Sequence, residues 1–349
     1  MMPEEKTLQT SPHPLQAGPP TAAAPQHATR NNQQPTTHVP RWPTQVEYQD
    51  ALQNPGLCLA DPLLRTVVPL DLTPFGLPSP ISGQFANVYR MQSSDGKWWG
   101  IKLFLRHLSS RTVQYHALQT HLLRLSPAPT WFVPFAYHEK GIRINGLWFP
   151  ILQMPWLRDA TPLNTYIDGI VNDPAAVRRL RDAWRKLVME MGRERFAHGD
   201  LQHGNVLVRL GRDGKPPMLH LLDYDGAWVP GLAGRVGTES GHHSYQHPGR
   251  APGDFGMRMD RFAGVAVYTA LLILSRAPDL WYRFDNGDNV LWRREDFVET
   301  QAKGRALFEL ARHSDAYVRR AAESFRTVCE GPASLVPDLE RYAMMAEMI

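Results

Sequence analysis

Only two cysteines, Cys58 and Cys329, occur in 349 residues. They lie far apart and without metal-ligand spacing, so neither a disulfide framework nor a zinc cluster is expected, and a reducing interior is the default. The chain has no run of five Lys or Arg, and its net charge of +4 is thinly spread; no nucleic-acid partner is expected. The longest apolar run, Phe262 to Leu274, falls short of the roughly 20 residues that span a bilayer. It reads as a buried core helix, with no membrane partner. The first ten residues carry Glu4, Glu5 and Lys6 and lack the apolar stretch of a secretory signal, which makes a cytoplasmic location the expectation. Internal repeats are absent. Between Leu103 and His138 there is not one Asp or Glu, so any helix in that interval has no carboxylate to offer.

What is present is an ordinary globular composition, 43% hydrophobic and 21% charged, which predicts a folded body. Residues 1–43, rich in Pro, Gln, Thr, Ala and His, read as a disordered tail, and residues 44–79, punctuated by proline, as an irregular lead-in. Short strands then follow at Phe85–Met91, Trp98–Phe104, Ile142–Asn145 and Trp148–Met154, with tight-turn signals at Asp95-Gly96 and Asn145-Gly146. Tyr115, Leu118, Leu122 and Leu125 recur at helical spacing and predict a helix over Arg111–Leu125. Beyond Pro162 the periodicity is mostly helical, over Ala175–Met191, Arg261–Leu274, Asp296–Arg312 and Asp315–Cys329, interrupted by a hairpin over Val206–Leu222 that turns at Asp213-Gly214. The expected fold is α+β: a small antiparallel β-rich lobe with one main helix over residues 80–157, then a larger α-rich lobe over 158–349.

The strongest chemical signal is His198-Gly199-Asp200-Leu201-Gln202-His203-Gly204-Asn205, followed 18 residues after Asn205 by Asp223-Tyr224-Asp225-Gly226. It resembles the catalytic and metal-binding loops of protein kinases, H-x-D-L-x-x-x-N and D-F-G. Three further segments fall in register. Pro80-Ile81-Ser82-Gly83-Gln84-Phe85-Ala86-Asn87-Val88 is similar to the Gly-rich loop reduced to one glycine, Trp99-Gly100-Ile101-Lys102 resembles the V-A-I-K strand, and Gly241-His242-His243-Ser244-Tyr245-Gln246-His247-Pro248 resembles the end of an activation segment. Asp260-Arg261-Phe262-Ala263 then resembles the D-x-W-S start of the buried helix.

The resemblance, to divergent bacterial eukaryotic-like protein kinases, implies a bilobal protein-kinase-like fold over about residues 80–340. It implies ATP and Mg²⁺ (or Mn²⁺) as cofactors, Asp200 as catalytic base, Asn205 and Asp223 as metal ligands, and Lys102 on the α and β phosphates. Gly83, Phe85, Ala86, Val88 and Gly100 would border the nucleotide; Met154 would be the gatekeeper, with the backbone of Pro155 and Leu157 against adenine. Asp260 would accept backbone N–H groups of the catalytic loop. The function so implied is transfer of the γ-phosphoryl group of ATP to a Ser or Thr of a protein substrate.

The helix after Lys102 departs from the family pattern in carrying no carboxylate, so the lysine is expected either to stay hydrated or to turn toward Asp223, with Gln114 or Gln119 offering a neutral oxygen from the helix. Gln202 stands where Ser/Thr protein kinases have Lys, Gly199 replaces the Arg of H-R-D, and Gly249 replaces the closing Glu of the activation segment. Two alternatives therefore stay open: a nucleotide-binding pseudokinase scaffold, and a small-molecule kinase of the aminoglycoside or choline kinase type.

Overall fold

The computed structural model describes residues 41–347 except 212–214, 252 and 286; the expected tail up to residue 40 and the Asp213-Gly214 turn lie outside the described residues. The lead-in, expected to be irregular, is partly helical. Helix α1 (Gln45–Leu52) starts at a capping box, in which the Thr44 hydroxyl accepts from the Glu47 N–H and the Glu47 carboxylate accepts from the Thr44 N–H at 2.8 Å. Helix α2 (Pro55–Cys58) follows, with Pro55 in its first turn, where the missing N–H has no intrahelical partner to lose. Pro55, one of the prolines that suggested irregularity, thus marks a helix start, whereas Pro78 and Pro80 lie in non-helical chain as expected.

Strand β1 (Val68–Pro69) joins β2 (Ile81–Ser82), β3 (Ala86–Gln92), β4 (Trp98–Phe104), β5 (Ala136–Ile144) and β6 (Leu147–Pro155) in one antiparallel sheet, ordered β1-β3-β4-β6-β5 with β2 also on β3. The β5–β6 turn has φ of +50° at Asn145 and +83° at Gly146, the left-handed pair that a two-residue hairpin needs. Helix α3 (Arg111–Leu122) lies between β4 and β5. It stops short of the expected Leu125, and Pro127 follows, which disfavours helical backbone just before it.

Alternation along β4 separates two environments. Ile101 and Leu103 enter a buried cluster with Tyr89, Met91, Ile142, Phe149 and Ile151 of the sheet and Tyr48, Leu52, Leu59 and Leu64 of the lead-in. Lys102 and Phe104 take the other face, where Phe104 packs with Tyr115 and Leu118 of α3. The lead-in is therefore one wall of the sheet's core. The Tyr48 hydroxyl donates to the Phe104 carbonyl at 2.8 Å, and the Trp42 indole N–H donates to the same oxygen.

The second half is mainly helical. Strand β7 (Ala160–Pro162), helix α4 (Leu163–Ile170) and helix α5 (Pro174–Arg193) precede a hairpin of β8 (Val206–Arg209) and β9 (Met218–Leu221), which with β7 forms a second antiparallel sheet. Helix α6 (Arg261–Leu274) is buried from Phe262 to its end, as its uniformly apolar run requires. The α5 residue Trp184 donates its indole N–H to the Gly264 carbonyl of α6 at 2.9 Å. Helix α7 (Asp279–Phe284) comes next.

The single helix expected over Asp296–Arg312 is two, α8 (Arg294–Val298) and α9 (Ala306–Leu310). Gly304 between them takes φ +87°, and the buried Asp296 carboxylate accepts the N–H groups of Arg293 and Ala306, each at 2.7 Å. That carboxylate ties both pieces together, satisfying donors that a continuous helix would have used. Helices α10 (Ala316–Glu330) and α11 (Leu339–Glu347) complete the fold. Among the described residues no helix is long and apolar enough to cross a membrane.

If the lead-in belongs to the core, Tyr48→Ala empties a site with 0% exposure and lowers unfolding free energy by about 3–5 kcal/mol. Denaturant titration checks this, and an unchanged midpoint would show that α1 contributes no packing.

Candidate functional site

The loop from His198 to Asn205 is fixed from below. Ala197 pairs with Trp228 through two backbone hydrogen bonds of 3.0 and 2.7 Å, which brings this loop against the turn after β9. The Asp260 carboxylate, at the start of α6, accepts the N–H groups of His198 and Gly199, the latter at 2.8 Å, and caps no residue of its own helix. Burial pushes the Asp260 carboxyl above its ordinary value, against the pull of His198 and of the two N–H groups. Gly199 has φ +81°, and a Cβ there would lie 2.2 Å from the Gly226 carbonyl oxygen. No side chain fits, which accounts for glycine at this position.

Asp200 and Asn205 meet across this loop. The Asn205 amide nitrogen donates to the Asp200 Oδ2 and to the Asp200 carbonyl, both at 2.9 Å, so the amide oxygen is the end left to face a ligand. Asp200 Oδ1 accepts the N–H of His242 at 2.6 Å. Gly241 makes that approach possible: its φ is +71°, and a Cβ would stand 2.5 Å from the Gly199 carbonyl oxygen. Gln202, at the position where a lysine was missing, turns its side-chain oxygen back to the Gly204 N–H at 2.6 Å. Beside Gly249, Arg294 donates to the carbonyls of Gln246 and Pro248, each at 3.2 Å.

Strand β4 brings Lys102 to the same place. Its ammonium lies 2.7 Å from Asp223 Oδ1 and 2.8 Å from Asp225 Oδ2. The lysine is buried and Asp225 nearly so, whereas the Asp223 carboxylate keeps 46% of its surface exposed. Burial would drive the lysine pKa down, but the charges of Asp223 and Asp225 outweigh it and hold the ammonium above its ordinary value. For Asp223 burial acts upward, and the neighbouring Lys102 reverses it, so this carboxyl sits below its ordinary value. Asp223 also adopts φ +60°, a left-handed conformation uncommon outside glycine.

Neither glutamine of α3 partners the lysine, contrary to the sequence expectation for Gln114 or Gln119. Gln114 donates to the carbonyls of Asp225 and Ala227, and Tyr115 donates its hydroxyl to Asp225 Oδ1. Helix α3 therefore reaches Lys102 only through Asp225. Tyr224 points away into an aromatic cluster with Phe132, Phe135 and Phe196.

The residues expected around the nucleotide divide into two groups. Gly83 closes the β2–β3 loop by donating its N–H to Ala86 at 2.9 Å, and the Phe85 ring carries the Arg106 guanidinium 3.3 Å from its centroid. Phe85 is thus engaged with Arg106 at the loop tip. Val88 pairs with Lys102, and Gly100 with Met154; the space over Gly100 is walled by Met154, Trp156 and Val88 at 3.4–3.6 Å from an added Cβ. The Trp156 N–H donates to the Trp98 carbonyl at 2.9 Å, and strand alternation turns the Pro155 carbonyl away from β4; Leu157 lies beyond the end of β6.

Sequence reasoning missed Asp225, Tyr115, Trp156 and Glu239. For Asp225 a signal existed: a second Asp two residues after Asp223, in a chain whose helix had no carboxylate to give. Glu239 lies near the same charges; burial first, then Asp225 and Asp223, push its carboxyl up to about 7, with Lys102 pulling the other way.

Among the described residues no group of three or more His, Cys, Asp or Glu stands ready to hold a metal alone. The Asp223 carboxylate and the Asn205 amide oxygen still suit Mg²⁺, which completes its octahedron with phosphate oxygens and water. No protein-family model matches the chain, and no curated protein matches its sequence.

Gly199→Arg should fail to give folded protein or should lower Tm by many degrees, because the Gly226 carbonyl occupies the side-chain position. Thermal unfolding checks it. Glu239 gives a pH-dependent expectation. The unfolded chain ionises it near 4.5 and the folded one near 7, so its contribution to stability falls as pH rises between those values. In metal-free buffer Glu239→Gln should raise Tm at pH 8 and leave it unchanged at pH 4; equal shifts at both would reject a crowded carboxylate.

Proposed function

We propose that the chain is an ATP-dependent phosphotransferase of protein-kinase-like fold, most closely suited to transfer of a γ-phosphoryl group to a protein Ser or Thr hydroxyl. The observation that carries this reading is the meeting of Lys102 with Asp223 at 2.7 Å, across 121 residues of sequence, beside the hydrogen-bonded pair Asp200 and Asn205. A structural ion pair alone gives no reason for the Asp223 carboxylate to keep 46% of its surface exposed. The sheet over residues 80–157 and the helical part over 158–349 then act as the two lobes. A cytoplasmic location belongs to the same reading.

Each residue has a task set by its geometry. Lys102 offers a positive charge to the α and β phosphates, and the carboxylates beside it hold the ammonium in position beforehand. Asp200, oriented by the Asn205 amide and the His242 N–H, accepts the proton of the acceptor hydroxyl. Mg²⁺, held by Asp223 and the Asn205 oxygen, would neutralise charge on the phosphates. Gly100, Val88 and Met154 line an apolar surface suited to a purine, with the Pro155 carbonyl and Leu157 N–H at its edge.

A second reading, a nucleotide-binding scaffold without turnover, draws on one observation: Lys102 is already engaged by two carboxylates, with which incoming phosphates must compete. Phosphorylation of a metabolite panel without protein labelling would instead select a small-molecule kinase.

ATP turnover with Mg²⁺ or Mn²⁺ distinguishes these readings. Asp200→Asn should bind nucleotide as the wild type does and lose turnover by roughly 10²-fold or more, whereas Asp223→Asn should lose Mg²⁺-dependent binding. Unchanged turnover in Asp200→Asn would remove the base assignment, and nucleotide binding without wild-type turnover would select the scaffold.

A further inference from the structure

The residues around Lys102 carry one step more. A buried lysine that must grip phosphates needs an anion to hold it in position, and the helix beside it provides none: no Asp or Glu occurs between Leu103 and His138. Of its two carboxylate partners, Asp223 is half-exposed and suited to a cation, so it cannot give its whole charge to the lysine. Asp225 is different in each respect. Its side chain is 9% exposed, its Oδ2 lies 2.8 Å from the ammonium, and its Oδ1 accepts the Tyr115 hydroxyl. Its carbonyl accepts from Gln114, which also bonds Ala227. Both carboxylate oxygens and the backbone are thereby fixed.

We propose that Asp225 is the positioning residue for Lys102, a carboxylate supplied by the turn after β9 in place of one on α3, and that Tyr115 and Gln114 are the means by which α3 holds it. The role rests on the phosphotransferase reading and deepens it. Asp225 touches neither phosphate nor acceptor; it acts through the lysine. The arrangement differs from a second metal ligand, because the Asp225 oxygens are spent on Lys102 and Tyr115 while Asp223 retains open surface.

A double-mutant cycle on binding of ATP with Mg²⁺, measured by calorimetry, tests this. Lys102→Ala and Asp225→Asn should each weaken binding about tenfold, and the double variant should be within about twofold of Lys102→Ala alone, since residues acting through one contact are non-additive. Asp225→Asn should keep the wild-type Mg²⁺ concentration dependence, while Asp223→Asn shifts it upward. Additive losses would overturn the role, and a shifted Mg²⁺ dependence in Asp225→Asn would overturn it in favour of metal ligation. If Asp225→Asn does not fold, Tyr115→Phe carries the same cycle, with an expected loss of about threefold that vanishes in the Lys102→Ala background; a loss that persists there overturns it. A wild-type protein with no affinity for ATP rejects the phosphotransferase reading itself, and the positioning role with it, a result distinct from additivity.

Discussion

A lysine ammonium is expensive to remove from water unless anions surround it, and much of the candidate site follows from meeting that condition at Lys102. The strand position of the lysine is set by packing: Ile101 and Leu103 fill the core on one face of β4, so Lys102 must emerge on the other. Two carboxylates on one short turn then converge on it, and one of them takes a left-handed backbone to do so. The strain at Asp223, of order 1–3 kcal/mol for such a residue, is offset by its charge pair with the buried Lys102, which Asp225 shares. The sheet and the turn after β9 are thus bound to each other through the chemistry of the site.

Backbone crowding is the second constraint. The carbonyl of Gly226 occupies the side-chain position of Gly199, and the carbonyl of Gly199 that of Gly241. Three chain segments are therefore stacked main chain to main chain, with Asp260 satisfying the donors beneath. At such spacing even a methyl group must displace something. There is no room for a side chain at 199, and the segment around His242 is held by its N–H on Asp200.

The long periodic elements were legible from sequence because their signals were local. Trp98–Phe104 and Arg261–Leu274 have the boundaries that alternation and apolar continuity predict, and the Asn145-Gly146 turn follows from dihedral preference alone. The break between α8 and α9 was not legible, since nothing in the periodicity reveals that Asp296 reaches forward to the Ala306 N–H. The helical lead-in was missed for the opposite reason, proline being read as a breaker where it begins a helix. Around the site, the turn of Lys102 toward Asp223 could be anticipated from the missing helix carboxylate, whereas the hydrogen bond of Asn205 to Asp200 is visible only in the folded loop. Asp225 left a signal in being a second Asp close after Asp223, whereas Tyr115 left none, because its meeting with Asp225 joins residues 110 apart and a tyrosine on an apolar helix face suits many ordinary roles.

Where the carboxylate comes from bears on how such a site can be controlled. A helix-borne partner makes the lysine's position depend on the helix, so that moving the helix breaks a buried ion pair, an event costing several kcal/mol. Here the partner travels with the turn that also carries Asp223, and α3 reaches it through a phenol hydroxyl and an amide. A hydrogen bond to a charged group contributes about 1.5–3 kcal/mol, so displacement of α3 weakens the hold on Asp225 without removing the charge from Lys102. The equilibrium that α3 can impose is correspondingly smaller. In this chain the turn after β9 carries both carboxylates of the lysine, and movement of that turn, more than of the helix, decides whether Lys102 and Asp223 are held together.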